Sequence, residues 1–201
     1  MKIKDIQTKI VNAEMRNWVF VKVITDSDIY GWGEATVEWK TRAVAGAIED
    51  LKPLLVGKDP RNIKQNFQIM TKHGFWKMGV IGMTAISGIE HALWDILGKS
   101  LNTPVWQLLG GKVRDKIKIY THLGLGDMQA VYKDTLETSK LNDHAMSLVN
   151  NGYNSFKVVF IPFTHYTNSI DNLKKVNALM ASLRETVGDK IDIMVDFHGR
   201  C

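Results

Sequence analysis

Residues 2–12 alternate between apolar and polar positions, and WVFVKVITD at 18–26 repeats a β-rich pattern before DSD turns the chain into IYGWGEATVEW at 29–39. Connections this short predict three antiparallel strands. From Arg42 the period changes to that of a helix. Ala43, Ala47, Ile48, Leu51 and Leu54 share one face, and Gly57 ends it. Asp59 and Pro60 read as N-cap and first-turn residues of a second helix running to about Met70. A third helix, from about Gly79 to Lys99, carries Ile81, Ala85, Ile89, Leu93 and Ile96 at spacings of three and four and is expected to be mostly buried. Three strands followed by three helices predict an α+β domain over residues 1–112.

Beyond Pro104 and the Gly110-Gly111 pair, strand and helix alternate. KIKIYTHLG (116–124), SFKVVF (155–160) and IDIMVDF (191–197) read as strands, with helices expected around 128–150 and 170–186. Repeats of this kind imply parallel strands joined by right-handed crossovers, the opening of either a doubly wound sheet or a (β/α)8 barrel. A barrel needs roughly 250 residues, and residues 113–201 hold three of its eight strands. On the barrel reading the chain is expected to be truncated, with an incomplete second domain over 113–201.

Composition narrows this only a little. With 45% hydrophobic and 23% charged residues in a chain of 201, a substantial core is affordable and disorder explains nothing. The net charge of +5 is scattered along the chain, which tolerates small acidic molecules and gives no nucleic-acid footprint. The single cysteine, Cys201, excludes a disulfide framework and suits a cytoplasmic protein. The apolar span from Gly79 to Leu97 is broken by Glu90, His91 and Asp95, so it reads as a core helix and no membrane partner is expected. The six tryptophans are expected in the core or at the domain interface, with Trp18 and Trp76 as alternative pocket walls.

Asp196 and His198 stand two apart at the end of the last strand, so alternation points them the same way, towards the mouth where α/β proteins bind ligands. A carboxylate there is an oxygen ligand for magnesium, and a histidine beside it can move a proton near neutral pH. A loop-capping aspartate beside an exposed histidine is the competing reading. Lys157 lies in the apolar run FKVVF, either serving an anion or snorkelling at a strand edge. His122, near the end of the first strand of this half, is the one other histidine placed to face that mouth. GWGEA at 31–35 and GLGDMQ at 124–129 both fail the G-x-G-x-x-G pattern, which argues against dinucleotide binding. His91 and Asp95 can pair at i, i+4 on the third helix.

Taken together, GWGEA, the helix SGIEHALWDILGKSLNTPVWQLLGG at 87–111, VRDKIKIY at 113–120 and VDFHGR at 195–200 resemble the enolase superfamily, mandelate racemase branch, and within it the D-galactonate dehydratase family. The resemblance runs the length of the chain. It implies an α+β capping domain followed by the first three β/α units of a (β/α)8 barrel, with Mg²⁺ as cofactor. Asp196 matches the first of three carboxylate ligands to that metal, and His198 the general acid that protonates a departing 3-hydroxyl. Lys157 matches the first residue of a Lys-x-Lys pair and is a candidate for substrate binding; Val159 replaces the second, which argues against a lysine-base racemase. The implied reaction converts D-galactonate to a 2-keto-3-deoxy acid through an enediolate, in a homo-oligomeric full-length protein. The remaining ligands and the histidine base would lie beyond residue 201. Dehydration of another aldonic acid such as gluconate, or an inactive truncated binding protein, are the alternatives.

Overall fold

A computed structural model describes residues 1–14, 16–124, 137–158 and 169–197. The chain divides into two compact units, Met1–Asp115 and Lys116–Cys201. In the first, strands β1 (Ile3–Ala13), β2 (Arg16–Thr25) and β3 (Tyr30–Glu34) form an antiparallel sheet in that order. Helices α1 (Thr41–Leu55), α2 (Ile63–Lys72), α3 (Gly79–Ser100) and the short α4 (Val105–Leu108) follow. One sheet face supplies Ile6, Val19, Val21 and Val23 to a core completed by Val44, Ile48, Leu51 and Leu55 of α1 and Ala85, Ile89, Leu93 and Ile96 of α3.

The buried face of α1 is turned by about one residue from the expected one: Val44 and Leu55 are buried, while Ala43 is exposed and Leu54 half-buried. Alanine offers little area, so the stripe at 44, 48, 51 and 55 removes more apolar surface from water. The second helix begins at Ile63 rather than beside Asp59. Asp59 instead closes the preceding turn, accepting from the Arg61 backbone N–H (2.9 Å) and from the Arg61 guanidinium (2.7 Å). The buried Asn66 side chain then donates to the Asp59 carbonyl at 2.9 Å.

α3 lies against β3 backbone to backbone. A Cβ on Gly31 would come 2.0 Å from the Ala92 carbonyl oxygen, and one on Gly33 would come 1.9 Å from that of Gly88. Asp95 fastens the same contact by accepting from the Trp32 N–H (2.9 Å) and from Lys99 (2.7 Å), whose ammonium also donates to the Tyr30 carbonyl (2.8 Å). His91 therefore does not pair with Asp95; its nearest polar partner is Ser87, at 3.5 Å. Asn102, in the left-handed region at φ 51°, ends the helix and lets the Thr103 N–H return to the Gly98 carbonyl at 2.9 Å. α3 is long and apolar enough to cross a membrane, and nine of its residues are buried in this unit.

Of the six tryptophans, one packs against the core. Trp94 packs partly buried against the core, whereas Trp18, Trp32, Trp39, Trp76 and Trp106 are exposed. Trp18 and Trp32 occupy the alternate positions of β2 and β3, so burying Val19, Val21 and Val23 turns them to the outer sheet face. There the Trp18 and Phe20 rings meet edge-on at 6.1 Å.

The second unit holds a parallel sheet in the order β4 (Thr121–Leu123), β5 (Ser155–Val158), β6 (Asp192–Val195), with α5 (Thr138–Asn150) and α6 (Ile170–Val187). β4 is far shorter than the strand expected over 116–124. Ile117, Ile119 and Tyr120 are exposed, and the pairing with β5 covers Thr121–Leu123 alone. Expected helix and strand residues at 128–136, 159 and 160 lie outside the described residues. A small core joins Leu123, Phe156 and Val158 of the sheet to Leu141 and Ala145 of α5 and Leu179 and Leu183 of α6. Arg184, in the last turn of α6, donates to the Gly188 and Ile191 carbonyls (2.6 and 2.8 Å) and so fixes the approach to β6.

Candidate functional site

Strand register in the second unit decides which side chains share a face. Phe156 pairs with Thr121 and Ile193, and Val158 with Leu123 and Val195; these rows face the helices, with Phe156 and Val158 fully buried. The row between them, His122–Lys157–Met194, must then face the other way. Asp196 follows Met194 by two positions, and its backbone N–H donates to the Val158 carbonyl at 2.9 Å, carrying the strand alternation one step beyond β6. His122, Lys157 and Asp196 are therefore gathered on one face, at the C-terminal ends of three adjacent parallel strands, where α/β sheets present ligand sites.

The best-defined contact there is an ion pair. Lys157 Nζ lies 2.9 Å from Asp196 Oδ2, and each side chain is a little under one-third exposed. The hydrogen bond to Asp196 holds the Lys157 ammonium above the ordinary lysine range, and charge attraction to Asp196 adds to it against an opposing desolvation. The Tyr120 ring stands 6.0 Å from the same ammonium. Lys157 stands on β5, the middle of the three described strands of this sheet, and its charge is met by a carboxylate. The His122 ring lies over Gly124, where a Cβ would come 2.7 Å from it. His198 lies outside the described residues. Tyr120 and Met194 were not singled out from the sequence; Met194 joins this face through the register of β5 and β6, which no local signal carries.

For a magnesium ion, Asp196 offers a hard carboxylate oxygen of the right chemistry at the right place in the sheet. Among the described residues no three His, Cys, Asp or Glu side chains gather into a metal-binding group, so Asp196 could supply at most one position of an oxygen shell.

The first unit is a three-stranded antiparallel sheet with a helix packed on it backbone to backbone, and the second opens a parallel β/α sheet with a carboxylate and a lysine at its strand ends. Residues 1–110 match the mandelate racemase/muconate lactonizing enzyme N-terminal domain, and the chain belongs to that family. Its fold is shared with a member of the enolase superfamily from Salmonella Typhimurium, at 30% identity and a TM-score of 0.86 over 98% of this chain and 55% of that one. A protein from Mesorhizobium loti, provisionally named a dehydratase, is similar at 30% identity and a TM-score of 0.87, over 99% of this chain and 53% of that one. An enolase from Pantoea ananatis, solved with bound D-gluconate and Mg, is similar at 27% identity and a TM-score of 0.81, over 99% and 54%. The chain spans about half the length of these structures.

Proposed function

We propose that this chain belongs to a magnesium-dependent hydro-lyase that dehydrates a sugar acid, D-galactonate to 2-keto-3-deoxygalactonate, and that residues 116–201 open its (β/α)8 barrel. The observation that carries the reading is the placement of Asp196 and Lys157 on one face at the ends of adjacent parallel strands, 2.9 Å apart. The relatives support the class: one is provisionally named a dehydratase and another holds D-gluconate with Mg.

A proton α to a carboxylate is very weakly acidic, and hydroxide is a poor leaving group, so the reaction needs charge stabilisation and then an acid. Bound magnesium supplies concentrated positive charge against the negative charge that develops on the substrate carboxylate. Asp196 would contribute one oxygen to hold that ion. Lys157 would add a cation to the face that receives the substrate carboxylate. His198, two residues after Asp196 in the sequence, has the chemistry to protonate the departing 3-hydroxyl. The protein acts, on this reading, as a cytoplasmic homo-oligomer.

Gluconate is the second reading, favoured by the D-gluconate in the Pantoea ananatis structure. The test is keto-acid formation from a panel of aldonic acids, with and without Mg²⁺, by the 201-residue chain and by a protein extended to the relatives' length. We expect little turnover from the 201 residues and magnesium-dependent turnover of D-galactonate by the longer protein. Activity confined to gluconate would replace the substrate, and none on any aldonic acid would overturn the class.

A further inference from the structure

We propose that the outer face of the first unit's sheet is the contact between two copies of this chain, paired about a two-fold axis that runs along β2. The inference goes beyond the proposed reaction and gives the homo-oligomer named with it a particular face. Strand register defines that face. One row crosses the sheet as Lys9–Phe20–Glu34 and the next as Gln7–Lys22–Trp32, both on the side opposite Val19, Val21 and Val23. The buried apolar helix residues of this unit all belong to the core on the other side. Trp18, Tyr30 and Trp32 stand on the outer face more than two-fifths exposed, a concentration of aromatic surface of the kind that interfaces enrich.

What selects a second copy over another partner is the placing of charge. Lys9 and Glu34 occupy the two edges of one row, with Phe20 between them, and neither is ion-paired among the described residues. Rotation about an axis along β2 lays β1 of one copy over β3 of the other. Each Lys9 then faces the partner's Glu34, and Phe20 and Trp18 meet their own counterparts. Facing sheets pack about 10 Å apart with their strands within about 30° of each other, a gap that a lysine and a glutamate span together. Lys22, close to the axis, would repel its own copy if it stood upright, and it does not. Its ammonium lies 4.1 Å from the Tyr30 ring centre and 5.4 Å from that of Trp32, on the β3 side, so each copy's charge is directed to the partner's Gln7. Three strands wide and four rows long, the face measures roughly 14 by 27 Å. Two copies cover about 800 Å² in projection and more in accessible surface, near the about 1,000 Å² that a specific interface clears. A micromolar contact is the expectation.

Sedimentation velocity over a dilution series tests this on the protein extended to the relatives' length. Lys9→Glu and Glu34→Lys should each weaken association about tenfold, since each exchanges two attractions for two repulsions. Co-expression of the two variants should restore it, because the reversed charge of one copy then meets the reversed charge of the other. Circular dichroism confirms folding, with Lys9→Gln and Glu34→Gln, expected to weaken association about threefold, as the milder pair. Association unchanged in both single variants overturns the face and leaves the oligomer. Restoration only when both substitutions sit in one chain, or by no arrangement, also overturns the face. A wild type that is monomeric at every concentration overturns the face and the oligomer together.

Discussion

GWGEA in the first unit and MVDF in the second each bring a carboxylate to the end of a strand, and the two segments serve opposite ends. The glycines of GWGEA are there because α3 passes so close that the Gly88 and Ala92 carbonyls occupy the places of their missing side chains. Asp95, the most conspicuous acid of the third helix, is consumed in the same joint by the Trp32 N–H and Lys99. In the second unit Arg184 also braces the backbone, but the polar residues at the strand ends stand apart from the packing. Phe156, Val158 and Leu123 hold the sheet to its helices, and Lys157 and Asp196 stand on the opposite face, bonded to each other. Asp95 completes a packing contact in the first unit; Lys157 and Asp196 are turned away from the core at the strand ends of the second.

That contrast can be broken by mutation. The largest effect is expected from Phe156→Ala, at about 3–5 kcal/mol. It should unfold the second unit, whose core among the described residues holds eight buried apolar residues against eighteen in the first. In urea unfolding, loss of the second unit's signal with the first unit's transition retained would show that the two are separable. Gly33→Ala should cost about 3 kcal/mol, since its Cβ meets backbone that can move only by shifting α3, and the loss should appear in the first unit's transition. A neutral result would mean that the glycine serves something other than packing. Asp95→Ala should cost about 1–2 kcal/mol in the same transition by freeing a backbone N–H and an ammonium. Lys157→Met should cost under about 1 kcal/mol, because a partly exposed ion pair contributes little to stability. A large loss there would make the pair a structural brace.

The smallest effect is one of pH. The Arg61 guanidinium, aided by the Arg61 backbone N–H, lowers the Asp59 carboxyl to about 2 from 3.8. A depressed folded-state pKa stabilises the first unit above pH 4, and that contribution is lost as pH falls from about 4 towards 2. Carbon-detected titration of Asp59 should give a midpoint near 2, moving back towards 3.8 in Arg61→Ala.

Much of the fold was legible because its elements carry strong periods. α3 was placed almost to its ends by Ala85, Ile89, Leu93 and Ile96, and the order of three strands then three helices is written in connection lengths. What was not legible depends on partners distant in sequence. The rotation of α1 follows from how much area each stripe buries, and the extent of β4 from where it pairs with β5. For the site, alternation alone chose the side of Asp196. The ion pair to Lys157 could not be read, because residues 157 and 196 are brought together by the register of β5 and β6 and by nothing local. The same limit hid the meaning of GWGEA, whose glycines answer to carbonyls some sixty residues away, as Gly33 does to Gly88.

The most direct measurement of where the chemistry resides is paramagnetic broadening of backbone amide resonances as Mn²⁺ is titrated into a folded protein extended to the relatives' length. Broadening centred on Val195, Asp196 and Phe197 and reaching Lys157, with Gly31 to Ala35 unaffected, is the predicted result. Broadening centred on Glu34, or none localised at either segment, would contradict the account.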